Sequence, residues 1–234
     1  MARVAKLLTE LVGTFLFFSV IALSGPVGAL APLAIGSALM VMVYMGGHTS
    51  GAHYNPAVSF GFFLSRKLGA TDLVLYWIVQ LIGSVLAFTF AYLVSGRTSG
   101  IHPGPNVGIA SALAVEIAFT VALMLVVLIV AATKSTQGNS FYGLAIGFVI
   151  ASAVFAGGPI SGGAFNPAVG IGATLGDALF ANGSWSSLWL YIVGPLVGAV
   201  IGSGIHHVQM AGLDAATAPP EGYPSPGTPP PVSG

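Results

Sequence analysis

Cysteine is absent and charge is scarce. Without a thiol in 234 residues there is no disulfide, thiolate metal site or cysteine nucleophile, and the redox compartment is left open. Charged residues make up 5% of the chain, against about a quarter in a soluble globular domain, and six basic residues cancel six acidic ones. No basic face is available for nucleic acid. What replaces charge is apolar surface, 55% of residues, and a chain of that composition has the lipid bilayer as its partner and solvent. Nor does any nucleophile, acid–base pair or metal constellation stand out, so an enzyme, a bound metal and a cofactor are not expected.

A hydrocarbon core of about 30 Å needs about 20 apolar residues of helix. Six segments approach that length: 7–24, 32–47, 73–94, 109–132, 141–156 and 188–207. Gly25-Pro26, Pro103-Gly104-Pro105 and Gly138-Asn139 mark turns between them. Arg3 and Lys6 before the first run have the outline of a secretory leader, but Thr9, Glu10 and Thr14 interrupt it and five more runs follow, so it is read as the first span.

The chain says one phrase twice. Ser50-Gly51-Ala52-His53-Tyr54-Asn55-Pro56-Ala57-Val58 returns 111 positions later as Ser161-Gly162-Gly163-Ala164-Phe165-Asn166-Pro167-Ala168-Val169. Leu33-Ala34-Ile35-Gly36 and Gly46-Gly47 recur at the same offset, as Leu144-Ala145-Ile146-Gly147 and Gly157-Gly158, so one structural unit is used twice. The repeats are 1–107 and 108–211, and the Pro-rich segment 212–234, which cannot bury a core, is expected to be a disordered tail.

After each phrase comes a run of about eight apolar residues, 57–64 and 168–175, which as helix crosses only about 12 Å. These are half-spans. Asn before Pro is a helix-start signal: the Asn side chain caps free N–H groups, and Pro at the first helical position lacks a donor that would go unpaired there. Three full spans per half, an odd number, send the second half into the membrane from the opposite face. The fold class is therefore an all-α membrane protein of six transmembrane helices and two re-entrant half-helices in inverted repeats. Arg3, Lys6, Arg66, Lys67 and Lys134 fall on one side and Arg97 on the other, which places both termini in the cytoplasm of a multi-pass protein, here assigned to the cell membrane.

Irregular backbone at mid-bilayer depth survives only where it is packed in protein or lines a cavity. Two helix starts facing one point, each with about half a positive charge, repel cations there, while the Asn55 and Asn166 amides have N–H groups to donate to a neutral solute.

On these residues the sequence resembles the aquaporin, or major intrinsic protein, family. The likeness rests on both Asn-Pro-Ala motifs (Asn55, Pro56, Ala57 and Asn166, Pro167, Ala168), the Ser-Gly turns before them, and Glu10 and Glu116 in spans one and four. It covers about residues 5–207. It implies a homotetramer with a pore in each protomer, and Glu10 and Glu116 as buttresses accepting hydrogen bonds from the irregular segments; a proton relay is the competing reading of these membrane-buried carboxylates. His53 reads as a structural loop residue whose carbonyl faces the pore, and His206 and His207 as interface anchors.

Family members narrow the pore at a four-residue selectivity filter, and spacing from the motifs carries those positions to Ile35, Val154, Gly163 and Val169. Many water-selective members have arginine at the last and a histidine among the others; here all four are apolar or bare. Some plant vacuolar members also carry Val at the arginine position, though commonly with His at the place of Ile35. The expected pore passes water and small neutral solutes such as ammonia, hydrogen peroxide, urea or glycerol. An alternative filter recruits His102 or Arg97 from the external loop as the missing donor. Two other function classes compete: an ion-coupled secondary transporter, which also uses inverted repeats and broken helices, and a non-conducting structural membrane protein.

Overall fold

The computed structural model describes residues 1–217, with side chains as far as Leu213. Its regular structure is helical: α1 (Ala2–Leu23), α2 (Ala31–Ser50), α3 (Pro56–Leu64), α4 (Ala70–Ser95), α5 (Ile109–Ala132), α6 (Tyr142–Ser161), α7 (Pro167–Ala181) and α8 (Leu188–Thr217), with 3-10 turns at Gly25–Leu30 and Lys134–Thr136. Among the described residues, six helical segments are long and apolar enough to cross a bilayer, and α3 and α7 are too short.

The halves interlock. Within the first, α1 packs on α2 and α4; within the second, α5 packs on α6 and α8. Between them α2 crosses α6, α7 lies on α4, and α3 lies on α8. Bare backbone makes the α2–α6 crossing close, because a Cβ on Gly36 would stand 2.5 Å from the Gly147 carbonyl and one on Gly147 the same distance from the Gly36 carbonyl. These two glycines, 111 positions apart, lie on the pseudo-two-fold axis that relates the repeats.

Several boundaries differ from the sequence reading. α2 and α6 run past their Gly-Gly pairs to Ser50 and Ser161, where Gly51 and Gly162 take left-handed conformations (φ 91° and 94°) and close the helices. α7 has 15 residues and ends at Ala181, six beyond the expected half-span. Gly176-Asp177 breaks the hydropathy there without breaking the helix, since Asp177 accepts a hydrogen bond from the Thr98 hydroxyl (2.7 Å) and the end is set by Asn182 at φ 55°. α8 continues to Thr217, through a stretch from Ala211 that holds three alanines and no proline, with Gly212 its weakest helix former. The remainder of the expected tail, 218–234, lies outside the described residues.

At the end of the molecule holding the N-terminus, Arg3 pairs with Asp72 (2.8 Å) and the Lys67 ammonium donates to the Ala132 carbonyl (2.7 Å), capping the C-terminus of α5. His206 is not a free interface anchor, being buried with its Nε2 2.9 Å from Thr133 Oγ1.

Candidate functional site

Each irregular segment is held by a carboxylate. Glu10, wholly buried in α1, accepts on Oε1 from Ser50 Oγ (2.7 Å) and the His53 N–H (2.9 Å), and on Oε2 from the Tyr54 N–H (2.8 Å) and Gln80 Nε2 (2.9 Å). Glu116, equally buried in α5, accepts from Ser161 Oγ (2.7 Å), the Ala164 N–H (3.0 Å) and the Phe165 N–H (2.7 Å). The two serine hydroxyls in turn accept from the N–H groups of Ala52 (3.0 Å) and Gly163 (3.1 Å).

Turning successive N–H groups toward one carboxylate needs left-handed backbone, found at Ala52 (φ 51°), Tyr54 (φ 46°) and Phe165 (φ 48°). Such conformations cost on the order of 1–3 kcal/mol each and persist only where the surroundings over-determine them. Two or more donors per carboxylate supply that, together with the docking of the ring before each Asn. A Cβ on Gly46 would stand 2.0 Å from the Tyr54 hydroxyl, and one on Gly157 would stand 3.0 Å from the Phe165 ring.

The two helix starts meet through a reciprocal exchange. Asn55 Oδ1 accepts from the Ala57 N–H (2.8 Å) and Asn166 Oδ1 from the Ala168 N–H (3.0 Å), the N-caps expected of Asn-Pro-Ala. Asn55 Nδ2 then donates to the Phe165 carbonyl (3.0 Å) while Asn166 Nδ2 donates to the Tyr54 carbonyl (2.9 Å). An amide has two N–H donors, so the crossing bond uses one and leaves the other.

Both asparagines line a central cavity whose space for the centres of water-sized molecules is about 40 Å³. At roughly 10–15 Å³ per water position that is a file of a few molecules. Its other walls are largely apolar and include Phe17, Leu39, Leu123, Val127, Ile146 and Ile150. Ile35 from the first repeat and Val154, Gly163 and Val169 from the second all reach this wall. Gly51 and Ile146 also border a wider vestibule of about 590 Å³ under the α5–α6 loop, so the narrow space opens toward the end that carries Lys134.

Arg97 and His102 are not brought to the cavity wall. Both side chains are exposed. The loop is pinned by other bonds: Thr98 to Asp177, Ser99 Oγ to the Ala22 carbonyl (2.6 Å) and the Gly104 N–H to the Ile160 carbonyl (2.9 Å). His53 is buried, its Nδ1 lies 3.1 Å from Ser59 Oγ and its ring 4.3 Å from that of Phe62.

Sequence reasoning missed four polar groups from the third and sixth spans that complete the site. Gln80 bridges Glu10 and Ser59 Oγ (3.0 Å); Tyr76 and Tyr191 donate to the Ser50 and Ser161 carbonyls (2.7 and 2.6 Å), the last carbonyls of α2 and α6; Ser84 Oγ donates to the Ala168 carbonyl. A glutamine inside an apolar span was the one available signal, since polar side chains at that depth are expensive.

With this geometry the comparisons with known proteins agree. The model of the family described as Major intrinsic protein matches residues 1–206. Aquaporin TIP1-2 of Musa acuminata is 36% identical over 179 residues, 75% of this chain and 69% of that protein. Glycerol uptake facilitator protein-like 6 of Lactiplantibacillus plantarum is 36% identical over 209 residues, 84% of this chain and 94% of that one. The X-ray structure of the aquaglyceroporin from Plasmodium falciparum superposes with a TM-score of 0.80, covering 92% of this chain and 99% of its own, at 21% identity, and so shares the fold. Inverted halves, two Asn-Pro-Ala helix starts around one narrow cavity and a family match over nearly all the described residues lead to one statement: this multi-pass membrane protein belongs to the major intrinsic protein family.

Proposed function

We propose that the chain is a passive channel for water and small neutral solutes, the solutes being drawn from ammonia, hydrogen peroxide, urea and glycerol. The observation that carries this is the meeting of two capped helix N-termini on one cavity whose remaining wall is largely apolar. The uncommitted N–H of each asparagine serves a passing hydroxyl, water or amide, and the paired positive helix ends repel cations. With the N–H groups of residues 53, 54, 164 and 165 turned to the carboxylates, Glu10 and Glu116 act as buttresses and not as proton carriers.

Ile35, Val154, Gly163 and Val169 form the selectivity filter. Without a guanidinium, Val169 offers no donor to replace the hydration of water and no fixed charge, so the filter favours solutes less strongly hydrated than water, and cation exclusion rests on the helix ends. That named relatives include both an aquaporin and a glycerol uptake facilitator supports this breadth. The assembly is a homotetramer with a pore in each protomer. It sits in the cell membrane with both termini cytoplasmic, a placement supported by Arg3, Lys67 and Lys134 standing at one end.

The test is stopped-flow light scattering on proteoliposomes, run in parallel for water, urea and glycerol, with fluorescent reporters for ammonia and peroxide. Measurable flux of at least one of these solutes besides water is expected. Water flux with exclusion of every one of them would overturn the filter assignment. V169R is expected to reduce passage of the larger solutes several-fold while sparing water; an increase would remove that position from the filter.

A further inference from the structure

Opposite the α2–α6 crossing, the pseudo-two-fold axis leaves the protein between α4 and α8. These helices are not packed along each other; α3 and α7 stand between them. The cleft has a volume of about 160 Å³, and its floor is the pair Pro56 and Pro167, the first residues of the half-helices. Leu81 and Ile192 face it from α4 and α8. Both pairs are 111 positions apart, so the cleft lies on the axis itself. The axis of an inverted repeat runs in the plane of the membrane, and a cleft on it sits at half depth, where the surroundings are the ends of acyl chains.

The wall of the cleft is wholly apolar. The Trp77 indole N–H is not presented to it, being used on the Pro56 carbonyl (2.9 Å). A cavity of about 150 Å³ lined by aliphatic and aromatic side chains stays free of water and accepts a benzene-sized apolar molecule, so water is no candidate occupant at this depth. The rim continues into Ile78 and Ile82 on α4 and Val193 and Val197 on α8, large apolar side chains that are exposed on the outer surface of two membrane spans.

We propose that this cleft is a binding site for the terminal segment of a lipid acyl chain, seated behind both Asn-Pro starts. The inference rests on the membrane fold and not on what the pore conducts. A hydrocarbon end there fills the space between α4 and α8 and packs on the prolines that set the two asparagines.

Trp77 reports occupancy directly. With Trp185 and Trp189 replaced by Phe, Trp77 is the single tryptophan, excited selectively over the seven tyrosines. The full chain is reconstituted into phosphatidylcholine vesicles brominated either near the chain ends or near the headgroups. Chain-end bromines are expected to quench Trp77 about twofold more than headgroup-proximal ones, given a core about 30 Å thick. I192F, which fills the cleft, is expected to bring that quenching down toward the headgroup-proximal level, whereas V193F, one residue on and exposed outside the cleft, leaves it unchanged. I171F fills the cleft from α7 if I192F does not fold. No preference for chain-end bromines, equal quenching in the filled variant, or a Trp77 shielded from all bromines by a second copy of the chain would each overturn the proposal.

Discussion

The two halves share one backbone plan and support it with different side chains. Each carboxylate holds one serine hydroxyl and two consecutive backbone N–H groups, yet Glu10 has a fourth donor, Gln80, that Glu116 lacks. The position equivalent to Gln80 is Tyr191, which spends its hydroxyl on the Ser161 carbonyl; in the first half that carbonyl bond comes from Tyr76, one turn earlier in α4. Ser59 and His53 extend the polar network around α3, where the second half has Gly170 and Ala164. The geometry of the irregular segment thus tolerates different supports. What it requires is that the N–H groups find a buried acceptor.

The comparison can be broken by removing supports one at a time. Stranded buried donors cost about 1–3 kcal/mol each, so E10A, which strands four, and E116A, which strands three, both lose several kcal/mol. E10A is expected to lose more. Thermal unfolding in detergent ranks them, and an E116A protein as unstable as E10A would show that donor number does not set the difference.

A smaller and symmetric effect is expected at the centre. N55A and N166A each lose one N-cap and one crossing bond, together about 2 kcal/mol, because the two sets of partners match. Unequal unfolding midpoints would mean that the exchange is not shared between the halves. Smaller again is Q80L, which leaves Glu10 with three donors like its counterpart and also loses the bond to Ser59, about 1–1.5 kcal/mol for the two hydrogen bonds between membrane helices. Y191F, losing the single bond to Ser161, is expected to lose less than Q80L in the same melts. The smallest change is T98V, about 0.5–1 kcal/mol, since it releases one partly buried bond at the end of α7 and leaves the cavity untouched. Water permeability equal to the parent's is the check.

Much of this was legible in the chain itself. Apolar run lengths gave the six spans, the offset of 111 gave the repeat, and Ser-Gly before Asn-Pro marked both a helix end and a helix start. These are local signals: hydropathy, caps and the left-handed preference of glycine act within a few residues. They also failed locally, at Gly176-Asp177, where a drop in apolar character did not coincide with a helix end.

Other features were decided only by tertiary packing. The carboxylate bonds span about 40 residues or more, and each asparagine donates to a carbonyl of the opposite repeat. No window of sequence reports such pairings, because their energy exists only once inversion has brought the two half-helices end to end. The same holds for Arg97 and His102. By composition they were the donors closest to the outer mouth, yet bonds at Thr98, Ser99 and Gly104 hold their loop in a course that keeps both side chains off the cavity wall. Which residues are polar was written in the sequence; which of them face the lumen followed from buried donors having to find acceptors.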